Sequence, residues 1–219
     1  MSSQRDRFLS LAIRAGALKF GEFTLKSGRV SPYFFNAGEF SSGEALATLG
    51  SLYADALVKM DAPFDMLFGP AYKGIPLVAV TAAALYTEHG LDVPYAYNRK
   101  EAKQHGEGGT LVGGAVRGRV AIIDDVITAG TAIVEAIDLI RAAGATPSAV
   151  AIALDRQEVA GTDESRSAIQ KLEQAHGLQV TALATLDNLI DFVDRDNSAA
   201  GRLEALQAYR ERYGLAALE

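Results

Sequence analysis

Val120-Ala121-Ile122-Ile123-Asp124-Asp125-Val126-Ile127-Thr128-Ala129-Gly130-Thr131-Ala132 holds an apolar run, two adjacent carboxylates and a short Thr/Gly turn. A helical stripe follows at Ala132, Ile133, Ala136, Ile137 and Ile140, and Gly144 stops it. The unit therefore reads as strand, turn, helix. Carboxylates at the carboxyl end of a buried strand have lost solvation, which costs energy unless a ligand, metal or donor compensates. The turn adds backbone N–H groups, two threonine hydroxyls and a helix N-terminus, an arrangement that binds anions. Vicinal hydroxyls beside a phosphate, as on a phosphorylated ribose, suit both halves. Helix capping by the aspartates would explain one of them but not two in succession.

Outward from this unit, helices and strands alternate from residue 42 onward. Ser42 can cap a helix over residues 42–60 with Glu44 in its first turn, and residues 75–89 return to helix. Strands are expected at 64–68, 94–98, 120–125, 149–154 and 178–186, and a closing helix at 199–213. Such alternation predicts an α/β fold, a mostly parallel sheet flanked by helices, with ligands at the carboxyl ends of the strands. The N-terminal quarter differs. Residues 5–15 carry Phe8, Leu9, Ala12 and Ile13 on one helical stripe; strands at 18–26 and 33–36 flank a Ser27-Gly28 turn. We expect a helix-plus-hairpin hood over residues 1–40 and the α/β core over 41–219.

The chain has 219 residues, no cysteine and three scattered histidines, so disulfides, thiolate zinc sites and cysteine nucleophiles are excluded. Its first residues lack the apolar core of a signal peptide, and no stretch approaches the roughly 20 apolar residues of a membrane span. A cytoplasmic enzyme is the expectation, with no membrane partner. The net charge of −6 weighs against nucleic acid as a partner, though a local basic pocket can still receive small anions. Neither G-x-x-x-x-G-K-[ST] nor G-x-G-x-x-G occurs, so nucleotide hydrolysis and dinucleotide binding lose support.

Other candidates group around the same sheet edge. Tyr72-Lys73-Gly74 follows a strand and suits either an exposed turn or a pyrophosphate contact. Residues 99–109 fit no packed layer: Arg99, Lys100, Lys103 and His105 precede a glycine-rich stretch, the composition of a mobile lid closing over a polyanion. A solvated loop is the alternative, and His105 is open as an acid or a donor. Lys26 sits at the hairpin turn, and Arg156 follows the strand ending in Leu154-Asp155. Phe34-Phe35 reads as half core or as a pair that sandwiches a flat base. His89 and His176 fall near helix ends and read as surface residues.

The acidic pair with Thr128-Ala129-Gly130-Thr131 resembles the signature of the type I phosphoribosyltransferases for 5-phosphoribosyl 1-diphosphate (PRPP). Three further segments resemble the orotate phosphoribosyltransferase family in particular. They are Thr24-Leu25-Lys26-Ser27-Gly28-Arg29 with Ser31-Pro32-Tyr33-Phe34, then Arg99-Lys100-Glu101-Ala102-Lys103 with His105-Gly106, then Leu154-Asp155-Arg156-Gln157-Glu158. The resemblance runs in order over nearly the whole chain; Gln104 and residues 159–167 look less typical.

It implies that Asp124 and Asp125 meet the ribose hydroxyls of PRPP, that the turn Thr128, Ala129, Gly130, Thr131 and Ala132 receives its 5-phosphate, and that Val126 and Ile127 also belong to the PRPP site. Tyr72 and Lys73 would lie along the pyrophosphate, with Lys26 near both substrates, while Phe34, Phe35, Thr128 and Arg156 would hold orotate. It further implies a homodimer in which Arg99, Lys103 and His105 reach the neighbouring site and Lys100 serves its own. Lys26, Lys73, Arg99, Lys100, Lys103, His105, Asp124 and Asp125 are the catalytic candidates, and Mg²⁺ is held through substrate rather than by direct protein ligands. The chemistry implied is transfer of ribose 5-phosphate to orotate. A purine-base transferase would keep the PRPP turn without needing the Lys26 hairpin or Arg156. A PRPP-binding regulator of gene expression would need a nucleic-acid surface, and no basic stripe is visible beyond the lid.

Overall fold

The computed structural model describes residues 3–25, 27–103, 109–127, 130–159, 165–195 and 200–215, with the backbone alone at 102, 103, 109 and 200. The chain opens with α1 (Gln4–Arg14), fixed at its start by a capping box between Ser3 and Asp6. Its apolar stripe buries Phe8, Leu9, Leu11 and Ala12. The hairpin β1 (Leu18–Thr24) and β2 (Val30–Phe35) follows as an antiparallel pair of its own.

The remaining elements are α2 (Gly43–Lys59), β3 (Met66–Gly69), α3 (Gly74–His89), β4 (Tyr95–Lys103), β5 (Gly109–Gly113), β6 (Arg119–Val126) and α4 (Thr131–Ala142), then β7 (Thr146–Asp155), α5 (Ala168–His176), β8 (Gln179–Thr185), α6 (Leu186–Asp194) and α7 (Ala200–Tyr213). They alternate except for the run β4 to β6 and the two closing helices. Ser42 caps α2 by accepting from the Ala45 N–H, as its position before the apolar run predicts.

Six strands form the main sheet in the order β5-β4-β3-β6-β7-β8, all parallel except β5, which runs antiparallel to β4. The chain leaves β3 for β4 on one side and returns to β6 on the other. That reversal opens a crevice beyond the carboxyl ends of β3 and β6, where ligands bind in open α/β sheets. The two-residue period of β6 sorts its side chains between layers: Ala121 and Ile123 face the core shared with α1, α2, α3, α6 and α7, while Val120 and Ile122 face α4 and α5. Alanines at 121, 149, 151 and 153 keep the first face flat. At the α2–α3 contact a Cβ on Gly50 would come within 2.6 Å of the Val80 carbonyl oxygen, so only glycine permits that approach.

Two expectations need correction. Residues 99–103 are not outside the layers: they extend β4 well beyond the expected 94–98, and β5 pairs back onto them with a register shift between Asn98 and Lys103. The described ends of the lid are thus the two strands of a hairpin at the sheet edge, where polar side chains reach solvent without breaking the ladder. Residues 104–108 of the lid lie outside the described residues. Second, Phe34 and Phe35 occupy opposite faces of β2. Phe35 packs against Phe8 and Phe40 in the core, while Phe34 is exposed beside Phe23. One base cannot be sandwiched between them, because adjacent strand residues point apart.

Candidate active site

The acidic pair ends β6 at the crevice. Asp124 and Asp125 are each only 7 % exposed. Asp124 Oδ1 accepts from the Asp125 N–H at 2.9 Å, and Asp125 Oδ1 accepts from the Val126 N–H at 2.9 Å. Lys73 Nζ donates to Asp125 Oδ2 at 2.8 Å. From α2, the buried Tyr53 hydroxyl donates to the Asp124 carbonyl oxygen at 2.8 Å and pins the end of the strand. Burial, then the neighbouring Asp125 charge, push the Asp124 carboxyl up to about 7, against the Asp125 N–H and the Lys73 charge. The pair therefore carries charge that its own surroundings only partly compensate.

Lys73 reaches Asp125 because the loop after β3 is drawn tight. A Cβ on Gly69 would lie 2.3 Å from the Gly74 carbonyl oxygen, and one on Gly74 would lie 2.9 Å from that of Ile123. Only glycines let this loop press on both itself and β6. The Ala71–Tyr72 peptide in it is cis. Asn98 of β4 fastens the loop by accepting from the Ala71 N–H at 2.9 Å. Tyr72 is exposed, with the Lys100 ammonium 5.2 Å from its ring centroid.

Beyond β6, Ile127 anchors in the core and Gly130 takes a left-handed conformation (φ 76°) to start α4. Gly130 offers no side-chain cap, so among the described residues the first N–H groups of α4, at Thr131 and Ala132, are open to an outside acceptor. Because β6 and β7 pair Val126 with Leu154, Arg156 emerges from β7 at the same edge. Its Nε donates to Glu158 Oε1 at 2.7 Å, and its carbon Cζ stands 4.5 Å from the centroid of the Tyr33 ring.

The structure therefore gathers Asp124, Asp125, Tyr72, Lys73, Lys100, Thr131, Ala132 and Arg156 around one sheet edge, with Arg99 on β4. Lys26, His105, Thr128, Ala129 and the Lys103 side chain lie outside the described residues. Tyr53, Asn98, Glu158 and Tyr209 join the site without having been given a role from sequence.

Among the described residues one group has the spacing to hold a metal: Asp55, Glu88 and His89, between α2 and α3. Protein partners already engage it, since His89 Nε2 lies 3.1 Å from Asp55 Oδ1, Gln4 donates to Asp55, and Ser51 donates to Glu88. Asp124 and Asp125 offer hard oxygen donors of the kind that Mg²⁺ takes.

Residues 44–172 match the phosphoribosyl transferase domain family. The chain is 57 % identical to the orotate phosphoribosyltransferase of Thioalkalivibrio sulfidiphilus over 98 % of this chain and 100 % of that one. It is likewise 57 % identical to that of Xanthomonas axonopodis pv. citri, over 98 % of both. The crystal structure of orotate phosphoribosyltransferase from Francisella tularensis superposes with a TM-score of 0.84 at 42 % identity, covering 95 % of this chain and 99 % of that one. With a sheet edge that sets buried carboxylates and a lysine at the switch point beside an arginine on the neighbouring strand, the chain belongs to the orotate phosphoribosyltransferase family.

Proposed function

We propose that this chain, as an orotate phosphoribosyltransferase, transfers the ribose 5-phosphate group of PRPP to orotate at this edge. The products are orotidine 5′-monophosphate and diphosphate, as a step in making pyrimidine nucleotides. The observation that carries the reading is the charge arrangement: an under-compensated Asp124-Asp125 pair beside Lys73, next to Arg156, whose side chain is only 10 % exposed. Ribose hydroxyls donate to the aspartates, the 5-phosphate accepts from the α4 N-terminus, and Lys73 with Tyr72 lies along the pyrophosphate. Arg156 and the Lys26 hairpin hold the base, whose carboxylate a purine would lack. Asp124 and Asp125 stand where Mg²⁺ carried with PRPP would lie, and the ion would supply charge to offset that of the leaving group.

Breaking the anomeric bond builds positive charge on the ribose and negative charge on diphosphate, so no protein nucleophile is required. Asp124 and Asp125 stabilise the ribose side. The cations Arg99, Lys100 and Lys103, with His105 as an acid or a donor, act on the leaving group, and closure of the lid keeps water from an oxocarbenium-like centre. The hairpin β4–β5 supports such a lid, since its described part carries Arg99 and Lys100 just past Asn98, beside the loop that holds Lys73.

A homodimer, with Arg99, Lys103 and His105 crossing to the partner's site, belongs to the same proposal. It is supported by the exposed Tyr72, Tyr86, Leu91, Tyr95 and Leu111 on and beside α3 and the β4–β5 edge. A cytoplasmic location fits two anionic substrates that do not cross membranes unaided; no helix among the described residues is long and apolar enough to span one.

The test is loss of orotate absorbance on adding PRPP, Mg²⁺ and purified protein, with adenine and hypoxanthine alongside. Consumption of orotate that needs both PRPP and Mg²⁺ is expected. Turnover of a purine instead would overturn the role of Arg156, and silence with every base would leave a PRPP sensor.

A further inference from the structure

Arg156 does not stand alone at the base side. Its Nη2 donates to Ser31 Oγ at 3.2 Å and reaches Tyr209 Oη at 3.3 Å, in addition to the Nε bond to Glu158. Glu158 is the hub of the cluster. Its Oε1 also accepts from the Tyr209 hydroxyl at 2.8 Å, and its Oε2 accepts from Arg29 Nη1 at 3.2 Å. One carboxylate thus spans two guanidiniums, with all three side chains at most 16 % exposed.

The cluster ties three separate parts of the fold together. Arg29, Ser31 and Tyr33 come from the hood, Arg156 and Glu158 from the segment after β7, and Tyr209 from α7. The end of α7 is zipped onto that segment through Val159 N–H to Tyr213 O at 3.0 Å and Leu215 N–H to Gln157 O at 3.0 Å. Tyr33 and Tyr209 meet edge to face with centroids 6.1 Å apart, which fixes the tyrosine that carries the hydroxyl.

Two consequences follow for a ligand. A guanidinium is a rigid planar fork, so fastening one edge aims the other. Here the Nε and Nη2 positions are taken, and Nη1 has no hydrogen-bond partner among the described residues. In addition, two guanidiniums against one carboxylate leave a single buried positive charge, which is costly until a ligand anion meets it. A base bearing one carboxylate supplies that anion.

We propose that Glu158 and Tyr209 are positioning residues that hold Arg156 with its Nη1 side toward the carboxylate of the base, making α7 part of the base-selecting apparatus. The proposal rests on orotate being the substrate. A purely structural role, in which the cluster only fastens α7, predicts different kinetics. An aimed Arg156 affects only the substrate that carries the carboxylate; a loosened α7 affects folding and both substrates together.

The experiment is steady-state kinetics on full-length Glu158→Gln and Tyr209→Phe, each checked by urea melt, with uracil as a competitor lacking the carboxylate. The expected result is a KM for orotate raised about tenfold in Glu158→Gln, where the lost aim of Arg156 outweighs the added positive charge, and severalfold in Tyr209→Phe, which leaves the charge unchanged. The KM for PRPP should stay within twofold, and inhibition by uracil should stay where it is in the wild type. Should Glu158→Gln fail to fold, Tyr209→Phe, which keeps the ring contact, decides alone. An unchanged orotate KM, or orotate and PRPP KM values rising together, would overturn the proposal. If the wild-type protein does not consume orotate at all, the underlying substrate reading fails instead, and this control is run first.

Discussion

Replacing Asp124 by asparagine tests whether the site stores unfavourable charge in the empty protein. Its carboxyl is pushed up to about 7 from the ordinary 3.8 because it is buried and adjoins Asp125. A shift of about three units at about 1.4 kcal/mol each corresponds to about 4 kcal/mol. Since the folded-state value is the raised one, the native chain keeps a proton that the unfolded chain has lost between about pH 4 and 7. Stability must therefore fall as pH rises through that window and level off above it. Asparagine is neutral throughout and its Oδ1 can still accept from the Asp125 N–H. The stability of Asp124→Asn relative to wild type should thus be near zero at pH 4 and grow to a ceiling of about 4 kcal/mol by pH 7.5. Urea melts of both proteins at pH 4.5, 6 and 7.5 read the difference directly, since other carboxylates titrate alike in both. Binding of PRPP should show the opposite sign, because ribose hydroxyls donate to the ionised form. Affinity should weaken by up to tenfold per pH unit below about 7, and the variant should lack that dependence. A stability gap independent of pH would refute the argument.

Tyr53→Phe removes the hydroxyl that pairs with the buried Asp124 carbonyl oxygen, so a destabilisation of about 1–3 kcal/mol is expected from urea midpoints; an unshifted midpoint would mean that carbonyl has another donor. Lys73→Ala should lower kcat/KM for PRPP at least tenfold and also lower the melting temperature, because it leaves Asp125, only 9 % exposed, without its counter-charge beside Asp124. Retention of wild-type kcat/KM would sink the pyrophosphate assignment. Lys103→Ala should reduce kcat far more than the KM for either substrate, since lid contacts that form in the transition state affect the chemical step; full kcat in single-turnover measurements would rule out that role.

The β6–turn–α4 unit was readable because two local signals agree there: a run of apolar residues ending in charge, and a helical stripe restarting within the length of a tight turn. The hood's α1 and hairpin and the cap at Ser42 were readable for the same reason. β5 was not. Gly109-Thr110-Leu111-Val112-Gly113 is short, bounded by glycines and lies at the sheet edge, so composition suggests a hinge and only pairing with β4 makes it a strand. Tyr53 sits on a helical stripe and reads as core, which its ring is; that its hydroxyl finds a carbonyl 71 residues away is tertiary information. Glu158 shows the limit most clearly. Its partners stand at positions 29, 156 and 209, and no window along the chain contains them all.

Charge varies systematically along the sheet edge, and on the proposed reading that order fixes the orientation of the reacting pair. Beyond β6 stand two carboxylates against one partly exposed lysine; beyond β7 stand two guanidiniums against one carboxylate. The first cluster favours hydroxyl donors, and the second favours an anion. Were orotate to face β6, its carboxylate would meet Asp124 and Asp125 across a site from which water is largely excluded, and like charges there repel more strongly than in solvent. Were the ribose to face β7, Arg156 would lose its anion. Each cluster thus excludes the wrong substrate as well as accepting the right one. With both satisfied, the ribose lies between the base on the β7 side and the pyrophosphate on the Lys73 side, the arrangement that displacement at its anomeric carbon needs.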